Sequence, residues 1–307
     1  NSLLGTILIW YFSSWRPSLV FSFTALKKMF RFGSRLLLSS LLNQIFTNVY
    51  TLVIGKLYSP ADLGYYTRAK TLNDLPSQTL SNMVSRVTFP VFSSIQDDKK
   101  RVKRAMRRSL QMLAMVNTPL MIGISVIAEP LVLVVLSEKW LPCVPYLKLL
   151  CFLGIFYPLH LINLNVMQSL GRSDLFLRLE IIKKALIVIN IVVTWRFGIT
   201  IMICGMIVNT VIAFFMHGFY SGSLIQYGSF EQIKDLAAYF LTAVAMGCCV
   251  YAIKFFNIPN TYLLLAIQIS SGIMIQVTLC YIMKLGAFME LFSYVKRRIP
   301  LKEKVTI

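Results

Sequence analysis

Long apolar stretches recur along the whole chain, and they constrain its fold more than any other feature. A helix that crosses a bilayer needs about 20 mainly apolar residues, and eight stretches of the sequence meet or approach that requirement. The stretches are residues 36–57, 63–92, 110–136, 144–170, 175–196, 199–225, 236–256 and 262–285. In lipid, a helix satisfies its own backbone hydrogen bonds. The sequence therefore predicts an all-α, polytopic bundle of transmembrane helices.

The composition leaves little room for a soluble domain. Hydrophobic residues make up 57% of the chain and charged residues 14%, whereas soluble domains average about 45–50% apolar and about 25% charged residues. The six cysteines show no Cys-x-x-Cys spacing, so we interpret them as small packing residues rather than metal ligands. We therefore expect a protein surrounded by lipid, with neither a metal nor a cofactor.

Lysine and arginine give the chain a formal net charge of +19, and they are concentrated in alternate connectors. The richer set comprises residues 16–35, 99–108, 172–184, 234 and 284–304. Because cytoplasmic loops carry an excess of these cations, the pattern predicts that this set and the C-terminus lie in the cytoplasm. Membrane topology explains the charge without nucleic acid binding, since the cations lie between apolar segments.

The sequence opens at Asn1, inside an apolar run of residues 3–12 that is too short to cross a bilayer. We expect this run to be the end of a transmembrane helix that begins upstream, so that the sequence is N-terminally truncated. An amphipathic pattern follows, with Lys27, Lys28 and Arg31 on its polar side. Residues 1–32 are therefore predicted to be the end of a truncated helix and an amphipathic cytoplasmic linker.

The first two complete predicted spans each carry a stripe of polar side chains. Residues spaced by three and four positions share one helix face, and polar groups at lipid depth mark substrate or ion pathways. The first stripe includes Asn43, Gln44 and Asn48, and the second includes Thr71, Asp74, Gln78, Asn82, Ser85 and Arg86. Two consecutive polar faces predict one shared aqueous cavity.

Arg86 is the most informative single residue of these stripes. An arginine in a cavity binds phosphate through paired hydrogen bonds, and the alternative is a side chain that extends to the inner membrane interface. Arg35 at the cytoplasmic mouth of the first span and Arg68 at the outer start of the second would extend Arg86 into a basic path. Each of these two residues taken alone is typical of a topology or interface cation.

Three further polar residues are candidates for ion or proton handling. Asp74 is a candidate ligand for a coupling ion, with a capping or turn role near Pro76 as the alternative. His160 in the fourth predicted span and His217 in the sixth are candidates for proton relay. For both histidines we favour a hydrogen bond that joins two membrane helices.

The sequence lacks the signatures of the enzyme classes that use short motifs. It contains no Walker A, His-Glu-x-x-His, Gly-x-Ser-x-Gly or Gly-x-Gly-x-x-Gly motif. The predicted connectors are also too short for the outer loop of a membrane glycosyltransferase or polymerase. The sequence therefore predicts a protein that is not an enzyme.

Seven segments together carry a family signature. They are RFGSRLLLSS (31–40), IGK (54–56), SPADLGYYTRA (59–69), RVTFPVF (86–92), AEPL (128–131), EKW (138–140) and GRSDLFLRLEIIKK (171–184). The set resembles the Wzx-type lipopolysaccharide and polysaccharide exporters, within the multidrug/oligosaccharidyl-lipid/polysaccharide exporter superfamily. The resemblance covers nearly the whole sequence.

The resemblance implies a fold and a function. Family members have two six-helix lobes, as in multidrug exporters of the MATE type, and often two more helices. Residues 33–226 would then form the second lobe, and residues 227–307 two additional transmembrane helices and a basic cytoplasmic tail. The family moves undecaprenyl-pyrophosphate-linked oligosaccharide repeat units from the inner to the outer leaflet, and cavity cations hold the pyrophosphate. Polysaccharide polymerase and export machinery are the implied partners.

Carried onto this sequence, the cationic positions of the family cavity correspond to Arg86, Arg35 and Arg68. Two other functions stay open. A cation-coupled multidrug antiporter of the same superfamily would need essential acidic residues within the membrane. A membrane-embedded enzyme of polysaccharide assembly would need catalytic acids or histidines in its outer loops.

Overall fold

The computed structural model describes residues 6, 10–12, 23, 44–256 and 258–298, and all regular structure in these residues is helical. After α1, which covers residues 44–57, the helices are α2 (Pro60–Ser94), α3 (Lys99–Val126), α4 (Ala128–Leu136), α5 (Val144–Ser169), α6 (Ser173–Thr194), α7 (Ile199–Ile225), α8 (Ser229–Ala252), α9 (Thr261–Ile282) and α10 (Gly286–Arg298). Short 3-10 helices cover Glu138–Cys143 and Ile253–Phe256. The prediction of an all-α fold is confirmed.

The chain forms two compact units, residues 1–49 and 50–307. The helix packing described below lies within the second unit. The predicted boundaries at residues 32 and 226 stay predictions.

Five helical segments within the described residues are long and apolar enough to cross a membrane. They are Lys99–Val126, Glu138–Ser169, Ile199–Ile225, Ser229–Phe256 and Thr261–Ile282. Each overlaps one of the predicted spans, so the chain is a multi-pass membrane protein. Helices α2 and α6 also form where spans are predicted, but they carry more polar and charged side chains. The predicted span at 36–57 begins outside the described residues.

The third predicted span, residues 110–136, is not one helix. Helix α3 already begins at Lys99, and it ends at Val126 before α4 starts at Ala128. Its early start has a local cause, because the Asp98 carboxylate accepts hydrogen bonds from the backbone N–H groups of Lys100 and Arg101, each at 3.0 Å. The Arg101 backbone bond lowers the pKa of the Asp98 carboxyl. The cationic run at 99–108 is therefore helical rather than a connector.

The break between α3 and α4 at residue 127 has a physical reason, and two helices near the C-terminus begin elsewhere than the sequence predicts. Pro130 has no backbone N–H, so it cannot bond to the carbonyl four residues earlier, at the end of α3. Helix α8 begins at Ser229, inside the segment predicted as a connector, and α10 occupies part of the predicted basic tail. The extra helix α10 is anchored, because Arg108 of α3 forms an ion pair of 2.6 Å with Glu290.

Helix α5 lies at the centre of the second unit, and most of its side chains are buried. One apolar cluster joins it to α3, α7 and α8. The cluster includes Met106 and Leu110 of α3, Leu159 and Ile162 of α5, Phe214 of α7, and Leu236 and Tyr239 of α8. Deep burial of a span that is also strongly apolar means that α5 contacts protein rather than lipid on most sides.

Small and polar side chains bring α2 close to α5. Asn73, Ser77 and Ser81 of α2 are all buried, and Gly154 of α5 faces the Asn73 amide oxygen. Further along, the Asn165 amide donates hydrogen bonds to the hydroxyls of Ser85 at 3.2 Å and Thr88 at 3.1 Å. Small residues and cross-helix hydrogen bonds are the usual means of packing membrane helices, since lipid tails supply no hydrophobic driving force between them.

Charged side chains join α3 to α8 at one end of the unit. Lys103 pairs with Glu231 at 3.0 Å, and Arg107 pairs with the nearly buried carboxylate of Asp235. The hydroxyl of Tyr227, in the connector before α8, donates to Asp235 at 2.8 Å. Burial and the neighbouring Asp235 carboxylate raise the pKa of Tyr227. Residues on both sides of position 226 are thus tightly connected at this end.

Replacing Gly154 with alanine should destabilise the α2–α5 contact. The new Cβ would lie 2.5 Å from the Asn73 amide oxygen and 2.6 Å from the Met121 sulfur, and overpacking of this kind costs about 1–3 kcal/mol. Thermal unfolding of the intact protein in detergent measures the loss. Gly123→Ala is the matched control, because no atom lies within 4 Å of its added Cβ. Equal melting temperatures for Gly154→Ala and the control would contradict the proposed close packing.

Candidate functional site

Helix α2 presents two polar faces to different surroundings. One face carries the buried Asn73, Ser77 and Ser81 and packs against α5. The other carries most of the predicted stripe, and we call it the α2 outer face and define it as Thr71, Asp74, Gln78, Asn82 and Arg86. Thr71, Gln78, Asn82 and Arg86 are exposed, and Asp74 is partly exposed. Ser85, the remaining residue of the stripe, accepts a hydrogen bond from Asn165 of α5 instead. The span predicted at residues 63–92 would put these groups at lipid depth, where hydrogen-bonding groups are costly. That prediction therefore requires a polar surrounding for the α2 outer face.

Local sequence explains why so polar a segment forms a 35-residue helix. The Ser59 hydroxyl caps the start by accepting from the backbone N–H of Asp62 at 3.1 Å, and Pro60 occupies the first turn, where a missing N–H costs nothing. Threonine hydroxyls bond back to carbonyls one turn earlier, for example Thr71 to Thr67 at 2.9 Å. These bonds satisfy hydroxyl groups within the helix itself.

Arg86 is exposed, and within the described part of the chain it has neither a hydrogen bond nor an ion pair. It lies eight residues before the end of α2 at Ser94, which is about 12 Å at 1.5 Å per residue. The guanidinium therefore projects from the last third of a long helix, and the described residues offer no partner to its donors. Such a group can bind an anion through two parallel hydrogen bonds.

Arg68 has a different environment from Arg86. Its guanidinium lies over the ring of Trp140, 5.1 Å from the ring centroid, and Tyr65 contacts the same ring edge-on at 6.1 Å. Cation–π attraction of this kind holds the side chain against the 3-10 helix Glu138–Cys143. Arg68 and Arg86 are also about 27 Å apart along α2, at 1.5 Å per residue. They cannot grip one small anion together, and a basic path joining them stays a prediction.

Asp74, the candidate ion ligand, already has partners. One carboxylate oxygen pairs with Lys70, one turn earlier, and the other accepts from the Asn73 amide at 3.2 Å. The side chains of Lys70 and Asp74 are each 26% exposed. The pair carries no net charge, so a coupling cation would have to compete with Lys70 for this carboxylate.

The remaining predicted site residues lie in the first unit or outside the described residues. Gln44 and Asn48 are on α1, where the Asn48 amide donates to the Gln44 carbonyl at 3.1 Å. Arg35 and Asn43 lie outside the described residues. A cavity shared by the first two predicted spans therefore stays a prediction.

Polar groups buried between α5, α7 and α8 form a network that the sequence only partly indicates. The Asn163 amide oxygen accepts from the Ser221 hydroxyl at 2.5 Å and from the Gln232 amide at 3.0 Å. His160 and His217 lie nearby, but neither makes the helix-joining hydrogen bond that we expected. Asn163 has that role instead, and residue type alone could not distinguish the two. No group of three metal-ligating side chains occurs in the described part of the chain.

The sequence is similar to known proteins of polysaccharide biosynthesis. Residues 1–145 match the family described as "Polysaccharide biosynthesis protein". The chain is 29% identical over 223 residues to the lipopolysaccharide biosynthesis protein WzxC of Escherichia coli, covering 70% of this chain and 45% of that protein. It is 33% identical over 171 residues to the teichuronic acid biosynthesis protein TuaB of Bacillus subtilis, covering 55% of this chain and 35% of that protein. The chain thus spans less than half the length of these two relatives.

A solved structure shares the fold. The lipid II flippase MurJ in an inward closed conformation superposes with a TM-score of 0.68, covering 92% of this chain and 60% of the flippase chain. The sequence identity is 16%, so the likeness establishes the fold alone. The chain is thus similar in sequence to polysaccharide biosynthesis proteins that include WzxC, and it has a MATE-like bundle of transmembrane helices.

Proposed function

We propose that the intact protein moves a lipid-linked oligosaccharide across the membrane, and that the α2 outer face lines the path of the substrate head group. The observation that carries this proposal is the position of Arg86 in the last third of a helix whose other polar face is packed on α5. Arg86 is exposed there, and it has no partner among the described residues. A free cation at this depth is costly unless water or an anionic ligand solvates it. A substrate head group with a diphosphate supplies that anion.

The α2 outer face suits a substrate with two chemical parts. Arg86 provides paired donors for a diphosphate. Asn82 and Gln78, one and two turns before it, provide amide groups that both donate and accept hydrogen bonds, as sugar hydroxyls require. Undecaprenyl pyrophosphate carrying an oligosaccharide repeat unit fits this order of charged and neutral groups. Differential binding of the head group in inward-open and outward-open states would then drive alternating access.

We place the protein in the plasma membrane with its C-terminus in the cytoplasm. Exposed cations on the first turns of α3, among them Lys99, Lys100 and Arg104, match the excess of positive charge found on cytoplasmic sides. The ion pairs of Lys103 and Arg107 lie at this same end of α3. A polymerase that extends the exported repeat units is the partner that we propose on the outer side.

Replacing Arg86 with alanine should block export with little effect on folding. Losing a charge-assisted pair of hydrogen bonds of about 1.5–3 kcal/mol corresponds to a decrease in transport of about tenfold to hundredfold. Arg86→Lys keeps the charge but not the paired geometry, so we expect an intermediate rate. The measurement is surface polysaccharide and lipid-linked repeat units on the inner leaflet, in cells that depend on the intact protein.

Arg104→Ala is the matched control, because Arg104 is also an exposed arginine but lies near the start of α3. It should leave export near the wild-type rate. Normal export by Arg86→Ala would contradict the role of Arg86. Normal surface polysaccharide in cells without the protein, combined with lost drug resistance, would favour the multidrug antiporter instead.

Asp74 provides a separate test between export and cation-coupled antiport. If Asp74 serves mainly to pair with Lys70, then Asp74→Asn leaves an uncompensated cation, and Lys70→Met with Asp74→Asn removes both charges together. We therefore expect the free energy of unfolding of the double variant to exceed, by about 1 kcal/mol, the value obtained by adding the two single losses. Export should be retained. Thermal unfolding and the export assay measure both. A double variant that folds but cannot export would assign Asp74 a transport role beyond the ion pair.

A further inference from the structure

Two histidines from different membrane-spanning helices lie side by side in the core. His160 on α5 and His217 on α7 have ring centroids 5.3 Å apart. Their side chains are almost inaccessible, with relative exposures of 4% and 0%. They are also the only two histidines in the sequence. Helices α5 and α7 therefore meet at a pair of imidazoles buried at lipid depth.

The ring nitrogens of this pair lack protein partners. None of the four makes a hydrogen bond. The backbone carbonyl of Phe156, one turn earlier on α5, approaches His160 but not in hydrogen-bond geometry. Buried polar groups are nearly always hydrogen-bonded, to protein or to ordered water, since an unpaired group loses its solvation without compensation.

The helices packed around the pair do not supply these bonds. Tyr157 of α5 contacts the His160 ring with its own ring. The charged groups that act on the pair, Glu180 and Lys183 of α6, bond to each other at 2.9 Å. Gln232 of α8 is uncharged and is already bonded to Asn163.

The other neighbours are apolar or lack charge. Leu110 and Leu113 of α3 belong to the same apolar cluster as Leu159 and Phe214, and the face of α2 that packs on α5 offers the uncharged Ser77 and Ser81. A buried imidazolium would therefore find no free carboxylate here. Both rings are neutral in such surroundings, and each has one donor and one acceptor.

We propose that His160 and His217 bind one water molecule between them, so that the α5–α7 contact contains a buried hydration site. A direct bond between the rings would satisfy only one nitrogen of each. Water has two donor and two acceptor positions, so it can bridge one ring to the other and still reach a third group. Buried waters typically make about three hydrogen bonds to groups that are otherwise unsatisfied.

The proposed water site adjoins the buried hydrogen-bond network of Asn163, Ser221 and Gln232. Asn163 and Ser221 lie one turn beyond His160 and His217, and the Asn163 amide oxygen accepts from both Ser221 and Gln232 of α8. The bridging water extends this hydrogen-bond network by one turn along α5 and α7. It links two spans that otherwise meet mainly through apolar side chains.

A high-resolution cryo-electron microscopy map of the intact protein in a lipid nanodisc tests the site directly. We expect a density peak within hydrogen-bond distance of one nitrogen of each ring. Rings that bond directly to each other, with no peak between them, would overturn the proposal. This outcome is independent of export, so it does not depend on the proposed function.

Phenylalanine substitutions give a second test. His160→Phe or His217→Phe alone removes one partner and leaves the other unsatisfied, so each should lower the melting temperature by about 3 °C or more. Replacing both partners with apolar rings can be nearly neutral. We therefore expect the melting temperature of the double variant to lie well above the value obtained by adding the decreases of the two single variants.

The matched control is the pair Phe156 and Phe214, whose rings meet across the same two helices at 5.9 Å without polar atoms. Leucine substitutions there should give no rescue in the double variant, because no polar group is left without a partner. If the histidine double variant instead lost as much stability as the two single variants together, the shared site would be excluded.

Discussion

The close contact between α2 and α5 is the interaction on which the rest of the structure depends. Asn73, Ser77 and Ser81 bring α2 near the central helix, and Gly154 gives the space that they need. Since lipid provides no hydrophobic force between helices, small side chains and hydrogen bonds supply the attraction. This contact uses one polar face of α2 and leaves the α2 outer face directed away from α5.

That division of α2 into two polar faces connects its packing to the proposed transport role. A helix with a single polar face could bury it and expose an apolar face to lipid. Helix α2 cannot do so, because Gln78, Asn82 and Arg86 remain exposed after its other polar face is packed. An aqueous cavity is the surrounding that accommodates them at lowest cost. The ion pairs between α3 and α8, together with the buried α5, hold together the bundle on which α2 packs.

The sequence predicted the apolar spans because twenty-residue hydrophobic runs have few alternatives in lipid. It failed where a few residues decide a boundary, as with the Asp98 cap that starts α3 early and Pro130 that separates α3 from α4. The two polar faces of α2 were also indistinguishable by residue type, since Ser77 and Gln78 are both polar. The partners of Asp74 are local, since Lys70 lies one turn earlier, and this spacing in the sequence is itself a signal for an ion pair. The missing partners of His160 depend on neighbours that are distant in sequence.

We propose that the α2 outer face is in contact with water while the other polar face of α2 is packed in protein. Cysteine accessibility tests it most directly, with single cysteines at Gln78, Asn82, Ser77 and Ser81 in an otherwise cysteine-free intact protein and a charged maleimide as the probe. We expect the maleimide to label Gln78→Cys and Asn82→Cys, and we expect Ser77→Cys and Ser81→Cys to be protected. Equal protection at all four positions, or labelling of the serine positions alone, would contradict it.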